Sequence, residues 1–286
     1  MSGPRRWLVT GAAGTVGSRV VERLLADGED VTAATRAHLD VTDQEAVDAA
    51  VEGHDVVVNA AAWTAVDDAE THEAEAFAAN AVGPALLAVA CARRGVPLLH
   101  LSTDYVFDGQ ADRPFPEDAP LRPRSAYGRT KAAGEWAVRA AGGPLWLLRT
   151  AWVYDVDRPC FPRTVVRLLG ERESLDVVDD QVGQPTWARD VADLAVAVVR
   201  AGAPHGTYHA TAAGQVSWFG LTRALLAHLG EDPGRVRATT SEAFRRPAPR
   251  PAWSVLGHAA WQNSGVTAPR AWEAALAEAV GAGLLR

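Results

Sequence analysis

Lysine is almost missing from this chain. Of 28 lysine and arginine residues, 27 are arginine and one, Lys131, is lysine. Cysteine is scarce too. Cys91 and Cys160 cannot build a disulfide framework, neither sits at a metal-ligand spacing, and both read as buried apolar fillers. An excess of positive charge is absent: a formal net charge of −7 leaves no basic footprint for nucleic acid or an anionic membrane surface. The longest apolar runs fall short of a membrane span. In the N-terminal "MSGPRRWLVTG" the apolar run is only Trp7 to Val9, too short for a signal-peptide core. These absences exclude a secreted disulfide scaffold and favour a reduced, cytoplasmic setting.

What is present is an ordinary globular composition, 48% hydrophobic and 22% charged over 286 residues. Continuous apolar runs at 6–10, 30–36, 55–62, 97–104 and 145–154 read as strands buried on both faces, as in parallel sheets. Helical patterns lie between them, near 15–27, 43–52, 70–94 and 126–142. This alternation predicts an α/β fold, a Rossmann-like doubly wound parallel sheet. After Tyr154 the rhythm loosens. Helices are expected near 161–171, 187–202, 217–229 and 269–281, with a strand at 206–212 and the Pro/Arg-rich "RRPAPRPAW" at 245–253. This predicts a smaller, discontinuous C-terminal domain on the sheet's carboxyl edge, where open α/β sheets bind ligands.

The first strand runs into "GAAGTVG", with Gly11, Gly14 and Gly17 ahead of a helix. Gly11 permits the tight turn, Gly14 lets the backbone approach a phosphate, and Gly17 allows close helix–strand packing. Thr15 and Val16 complete the turn. The pyrophosphate of a dinucleotide would sit on the helix N-terminus. The second strand ends with Thr35 and Arg36 where a ribose-binding carboxylate is usual, which favours NADPH over NADH and leaves NADH open. Asp40 and Val41, in "LDVTD", either flank the adenine or, for Asp40, cap the next helix.

Tyr127 and Lys131 are four residues apart, on one face if "AYGRTKAAGEWAVRAA" is a helix. A phenol titrates near pH ~10, and an adjacent ammonium would lower that. The ammonium is also a compact three-donor group that can hold ribose hydroxyls, which a guanidinium fork does less well. "LHLSTD" places Thr103 at the end of a strand, where its hydroxyl can bond a substrate carbonyl or hydroxyl beside Tyr127. Ala60, Ala61 and Ala62 end the third strand with small side chains that leave room for a nicotinamide ribose.

These residues resemble the extended short-chain dehydrogenase/reductases, and within them the dTDP-4-dehydrorhamnose reductase family and its deoxysugar 4-ketoreductase relatives. The matching blocks are "GAAGTVG", "LDVTD", "DVVVNAAAWTAVDDAE", "NAVGPALLA", "LSTDYVFDG", "AYGRTKAAGE", "LRTAWVY", "VVDDQVGQPTWARDVAD" and "RPAWSVL", in family order from about residue 7 to 256. The resemblance implies NADPH-dependent reduction of the 4-keto group of a dTDP-4-keto-6-deoxyhexose. It implies an NADP-binding domain of residues 1–155 plus about 187–212, and a sugar-nucleotide-binding domain of about 156–186 and 213–286. Tyr127 would protonate the carbonyl oxygen, Lys131 would tune Tyr127 and bind the ribose, and Thr103 would orient the substrate. Ala60, Ala61 and Ala62 would line the cofactor. Thr64, Val66 and Trp152 would line the sugar, and Arg250 would meet the diphosphate. A homodimer is left open.

The sequence also departs from that family. Some members carry a magnesium site built from carboxylates at a dimer interface. The matching positions here are Arg19 and Arg189, so no metal is expected. "LGHAAW" lacks the acidic and polar text that usually follows "SVL", and Trp63 and Asp68 differ from commoner forms. Three rivals share the resemblance. A 4,6-dehydratase would need Thr-Asp-Glu where this chain has Thr103-Asp104-Tyr105, and Asp104 reads as a structural carboxylate holding loop N–H groups. A 4-epimerase uses the same tyrosine and lysine. A non-catalytic subunit, resembling the regulatory subunit of methionine adenosyltransferase, would not need Thr103, Tyr127 and Lys131.

Overall fold

Residues 4–284 are described in the computed structural model. The first three residues of the stretch read for a targeting signal, and the last two of the chain, lie outside the described residues. The predicted rhythm appears as β1 (Arg6–Thr10), α1 (Thr15–Ala26), β2 (Asp30–Ala34), α2 (Gln44–Val51), β3 (Val56–Asn59), α3 (Glu73–Phe77), α4 (Gly83–Arg94), β4 (Leu98–Thr103), α5 (Ala126–Ala140) and β5 (Leu145–Thr150). There follow β6 (Val153–Tyr154), α6 (Phe161–Glu171), β7 (Leu175–Val178), β8 (Val182–Gly183), β9 (Thr186–Trp187), α7 (Ala188–Arg200) and β10 (Gly206–His209). The chain closes with β11 (Val216–Ser217), α8 (Trp218–Leu229), β12 (Val236–Thr239) and α9 (Trp272–Gly281).

Six strands form one parallel sheet in the order β10-β5-β4-β3-β1-β2. Side-chain alternation explains why these runs are apolar throughout. Trp7, Val9, Val56, Val58, Trp146 and Leu148 face a core shared with α1 and α7. Leu8, Val57, Leu98 and Leu147 face the opposite core, against α2, α4 and α5. Each such side chain contributes about 1.5–3 kcal/mol by leaving water. From β1 the chain adds β2 on one side and β3 on the other, so the direction of winding reverses between β1 and β3. The crevice of a doubly wound sheet opens beyond the carboxyl ends of those two strands. A separate apolar cluster, with Leu169, Trp187, Leu225 and Leu276, joins α6, β7, β9, α8, β12 and α9.

The structure departs from the expectations of the sequence in several places. Residues 70–94 are not one helix. A 3₁₀ turn (Asp68–Glu70), α3, a π-helical segment (Ala78–Val82) and α4 follow one another. The π segment carries Asn80, whose side chain bonds both the backbone N–H and the carbonyl of Trp63 and the hydroxyl of Thr130. Such single-turn bulges release a helix from its own register. Secondly, Glu73–Arg94 is long and apolar enough to cross a membrane by length and composition, contrary to the reading of the apolar runs. Half of its most apolar window is buried inside the protein. Thirdly, the run 145–154 breaks after Thr150, because Trp152 sits at φ +46°, the one non-glycine positive φ among the described residues. That backbone costs about 1–3 kcal/mol. It is held by the Trp152 indole stacking on Trp218, with ring centroids 3.6 Å apart. Lastly, the strand expected at 206–212 ends at His209, and Cys160 is a half-buried residue at the start of α6, donating to the Asp155 carbonyl, rather than a core filler.

Candidate active site

The glycine turn divides its work among three positions. Gly11 has φ +65°, and a Cβ there would lie 2.5 Å from the Ala60 backbone. At Gly17 it would lie 2.3 Å from the Gly11 carbonyl oxygen. These two residues allow the turn to press onto the exit of β3. At Gly14 a Cβ would meet only the Gly11 oxygen, at 3.1 Å, so that side of the turn is open. Gly14 caps α1 without a side chain, and Thr15 and Val16 are half-buried in its first turn. Free N–H groups and the positive end of the helix dipole therefore face an exposed glycine, a fit for a dinucleotide's phosphates. Ala12 N–H bonds the Ala34 carbonyl, tying the turn to the end of β2. Arg36 lies exposed in the turn just beyond. Asp40 does not cap α2. Asp43 does, accepting from the N–H groups of Glu45 and Ala46, while Asp40 accepts from Thr42. Val41 turns its side chain into the core against Gly83.

At the carboxyl end of β4, α5 arrives with its first turn pressed onto residues 104–106. A Cβ at Gly128 would lie 2.3 Å from the Tyr105 carbonyl oxygen. Ser125 caps α5 through the Gly128 N–H, and Glu70 accepts the Ala126 N–H. This close seating brings the Tyr127 phenol to the Thr103 hydroxyl, with Lys131 one turn further along α5. The Tyr127 ring meets Tyr105 edge-on at 5.5 Å, within a small cluster that includes Val66 and Ala126. The Thr103 hydroxyl lies beside the Tyr127 phenol and favours its ionised form, but burial outweighs this and raises the phenol's pKa, with the charge of Asp104 adding to the rise. Lys131 is 2% exposed, and its Nζ donates to the Leu101 carbonyl at 2.7 Å. Burial lowers its pKa to about 8, opposed by Glu135. The expectation that Lys131 lowers the Tyr127 pKa is not met. Both groups are buried, the ammonium is directed at a carbonyl, and desolvation governs both.

The strand expected at 55–62 ends at Asn59, so Ala60, Ala61 and Ala62 lie beyond it, Ala60 and Ala61 half-buried and Ala62 exposed. Thr64 is exposed and Val66 half-buried on the same loop, which Asn80 anchors. Trp152 lies against Gly183, where a Cβ would come within 2.5 Å of the indole and 2.7 Å of the Ser254 hydroxyl. Arg250 is drawn to Asp67, donating to its carboxylate at 2.8 Å. Sequence reasoning missed Asn80, although an asparagine inside an apolar helix was a visible signal. It also missed Gln184, whose amide accepts from Leu256 N–H and Thr211 and donates to the Leu256 carbonyl. The "GQPT" text thus clips two segments together. Beneath Lys131, Glu135 receives Arg149 through two hydrogen bonds, at 2.9 and 2.7 Å, and Ser102 at 2.6 Å, all buried.

The place matched to a magnesium site does not fit a cation. Arg19 donates to Asp155, Glu22 and Asp157, and Arg189 lies 3.6 Å from Glu278 and over the Trp187 ring. Guanidinium groups already neutralise those carboxylates, and no group of three metal-ligating side chains stands elsewhere among the described residues.

Residues 5–284 match the family model described as the RmlD substrate binding domain. A probable dTDP-4,6-dihydroxy-2-methyloxan-3-one 4-ketoreductase of Streptomyces antibioticus is 52% identical, with 96% of this chain and 94% of that protein covered. A dTDP-4-dehydrorhamnose reductase of Mycobacterium tuberculosis is 43% identical, covering 97% and 93%. Among solved structures, a dTDP-4-dehydrorhamnose reductase of Bacillus anthracis in complex with NADP superposes with a TM-score of 0.93 at 30% identity, covering 98% of this chain and all of that one. The chain belongs to the dTDP-4-dehydrorhamnose reductase family.

Proposed function

We propose that this chain is an NADPH-dependent reductase of the 4-keto group of a dTDP-4-keto-6-deoxyhexose. The observation that supports the reading is the meeting of the Tyr127 phenol and the Thr103 hydroxyl at the carboxyl end of β4, with Lys131 one turn along α5, on the sheet edge that also carries the glycine turn after β1. The names of relatives at 52% and 49% identity, a 4-ketoreductase and a dTDP-4-dehydrorhamnose reductase, support the substrate class. In this reading residues 1–155 with about 187–212 hold the cofactor, and about 156–186 with 213–286 hold the nucleotide sugar. The setting is the cytoplasm, where Cys91 and Cys160 stay as free thiols.

When bound, the nicotinamide supplies the hydride. Tyr127 donates its phenolic proton to the ketone oxygen, and its raised pKa keeps that proton in place until the oxygen gains charge. Thr103 and Lys131 then face the phenolate that remains. Lys131 also holds the nicotinamide ribose, which its three donors allow while one serves Leu101. Gly11, Gly14, Thr15, Val16 and Gly17 seat the pyrophosphate, Ala60 to Ala62 the nicotinamide side, and Arg36, Asp40 and Val41 the adenosine end. Thr64, Val66 and Trp152 flank the sugar, and Arg250 meets the diphosphate.

The test supplies enzymatically made dTDP-4-keto-6-deoxy sugars with NADPH and follows loss of its absorbance, with Tyr127→Phe as control. The expected result is oxidation that the control lacks. No oxidation with any such sugar, or equal oxidation by the control, overturns the reading. Tightly retained NAD⁺ in the purified protein would favour an epimerase instead.

A further inference from the structure

Asp104 follows Thr103 directly and is 3% exposed. Its Oδ1 accepts the Thr103 hydroxyl proton at 2.9 Å. Its Oδ2 has no partner of hydrogen-bond geometry among the described residues, although the Ser254 hydroxyl is near enough to favour the carboxylate. A hydroxyl has one proton to give and two lone pairs to offer. With its proton committed to Asp104, Thr103 is an acceptor only: it accepts the Tyr105 N–H at 3.3 Å and cannot at the same time donate to the Tyr127 phenol beside it. In that state it has nothing to give a ketone oxygen, which can only accept. It is matched instead to an alcohol. The reaction proposed above begins with a ketone and ends with an alcohol at this same place.

We propose that Asp104 is a positioning residue that sets the hydrogen-bond direction of Thr103. As a carboxylate it takes the Thr103 proton and leaves an acceptor. As a neutral acid it donates to Thr103 and frees the hydroxyl to donate to the substrate carbonyl. The inference rests on the reduction proposed for this site. It involves no bond change beyond the ordinary protonation of one carboxyl.

The surroundings suit both states. Tyr105 and Tyr127 present phenols to the carboxyl from the 3₁₀ turn and α5, and Ser254 presents a hydroxyl from the segment before Leu256. Lys131 lies on the same α5 face as Tyr127, with its ammonium turned to Leu101. Asp67 and Arg250, the charged pair further along the wall, act on Tyr105 in opposite senses. Burial pushes the Asp104 carboxyl up to about 6, against the pull of Thr103, Ser254 and two backbone N–H groups. Burial thus moves the exchange between the two forms toward neutrality.

The test measures single-turnover reduction of a dTDP-4-keto-6-deoxy sugar by the NADPH-loaded protein from pH 5 to 7, where Lys131 keeps most of its proton. The wild-type rate should fall about tenfold as Asp104 ionises, one hydrogen bond's worth at the transition state. Asp104→Asn, whose amide donates to Thr103 as the neutral acid does, should hold the rate level across that window, with the KM for the sugar unchanged. The wild-type step persisting in Asp104→Asn, or an equal loss at every pH, overturns the proposal. A wild-type protein that reduces no such sugar would instead defeat the functional reading. An infrared difference spectrum between the two pH limits separates these cases. It should show a neutral carboxyl band that Asp104→Asn removes and Thr103→Val shifts. No such band, or one indifferent to Thr103→Val, overturns the proposal whether or not any sugar is reduced.

Discussion

Arg250 and Asp67 are joined although they lie 183 residues apart in the chain. One guanidinium nitrogen donates to the carboxylate at 2.8 Å, and the other carboxylate oxygen accepts the Ala248 N–H. The two residues come from the loop after β3 and the segment before Ser254, so the pair ties the first half of the chain to its C-terminal part. Both are partly exposed, 22% and 33%, and such pairs add about 0–1 kcal/mol to stability.

Arg250 thus has little to do for the fold and much to offer an anion. Arg250→Ala should leave the melting temperature nearly unchanged and weaken dTDP binding about tenfold or more, the loss of one charge-assisted contact of about 1.5–3 kcal/mol. Isothermal titration with dTDP checks this. Unaltered affinity would return Arg250 to an ordinary surface residue held by Asp67.

Lys131→Arg should give a folded protein that loses most of its turnover, on the order of 10²-fold in kcat. A planar fork cannot replace a point charge at a site 2% exposed and aimed at the Leu101 carbonyl. Activity equal to wild type would make the lone lysine an accident of composition.

The same residue has a cost in the free protein. With its folded pKa at about 8, below the unfolded value, the unfolded chain binds more protons between about pH 8 and 10.4. Stability on this account is lowest below pH 8 and rises as pH climbs through that window. Lys131→Met should remove this rise and, at pH 7, be inactive yet more stable by about 1–2 kcal/mol, since the lost Leu101 bond, about 1 kcal/mol, offsets part of the gain. Denaturant titrations at pH 7 and 10 decide it.

Gly14 and Gly17 should separate binding from folding. Gly14→Ala meets nothing nearer than 3.1 Å and should fold normally while NADPH affinity, read by quenching of tryptophan fluorescence, drops about tenfold or more. Gly17→Ala drives a methyl to 2.3 Å from a backbone oxygen and should yield little folded protein.

Arg36→Ala should weaken NADPH and spare NADH, because only the former carries a 2′-phosphate. An equal effect on both cofactors would remove Arg36 from the adenosine end.

Much of this was legible before any coordinates. β1 falls on "RWLVT", and α6 on the helix expected at 161–171, because a continuous apolar run and an amphipathic stripe are local signals. Thr103, Tyr127 and Lys131 carry their own spacing. Asn80 was not legible in its role, since its partners Trp63 and Thr130 lie 17 and 50 residues away. The break at Trp152 depends on an indole in α8 that no local window contains. The raised Tyr127 pKa was misjudged because neighbouring charge can be read from spacing, whereas burial cannot.

The single lysine has a last consequence, which concerns reactivity. Acylating agents, aldehydes and amine-directed cross-linkers find one lysine in the chain, and it lies inside the fold with its nitrogen engaged. The surface, rich in guanidinium groups, offers such reagents no lysine at all among the described residues. Labelling at Lys131 therefore clocks the opening of the protein's interior, and its rate in the presence of nucleotide would record how firmly the cleft is shut.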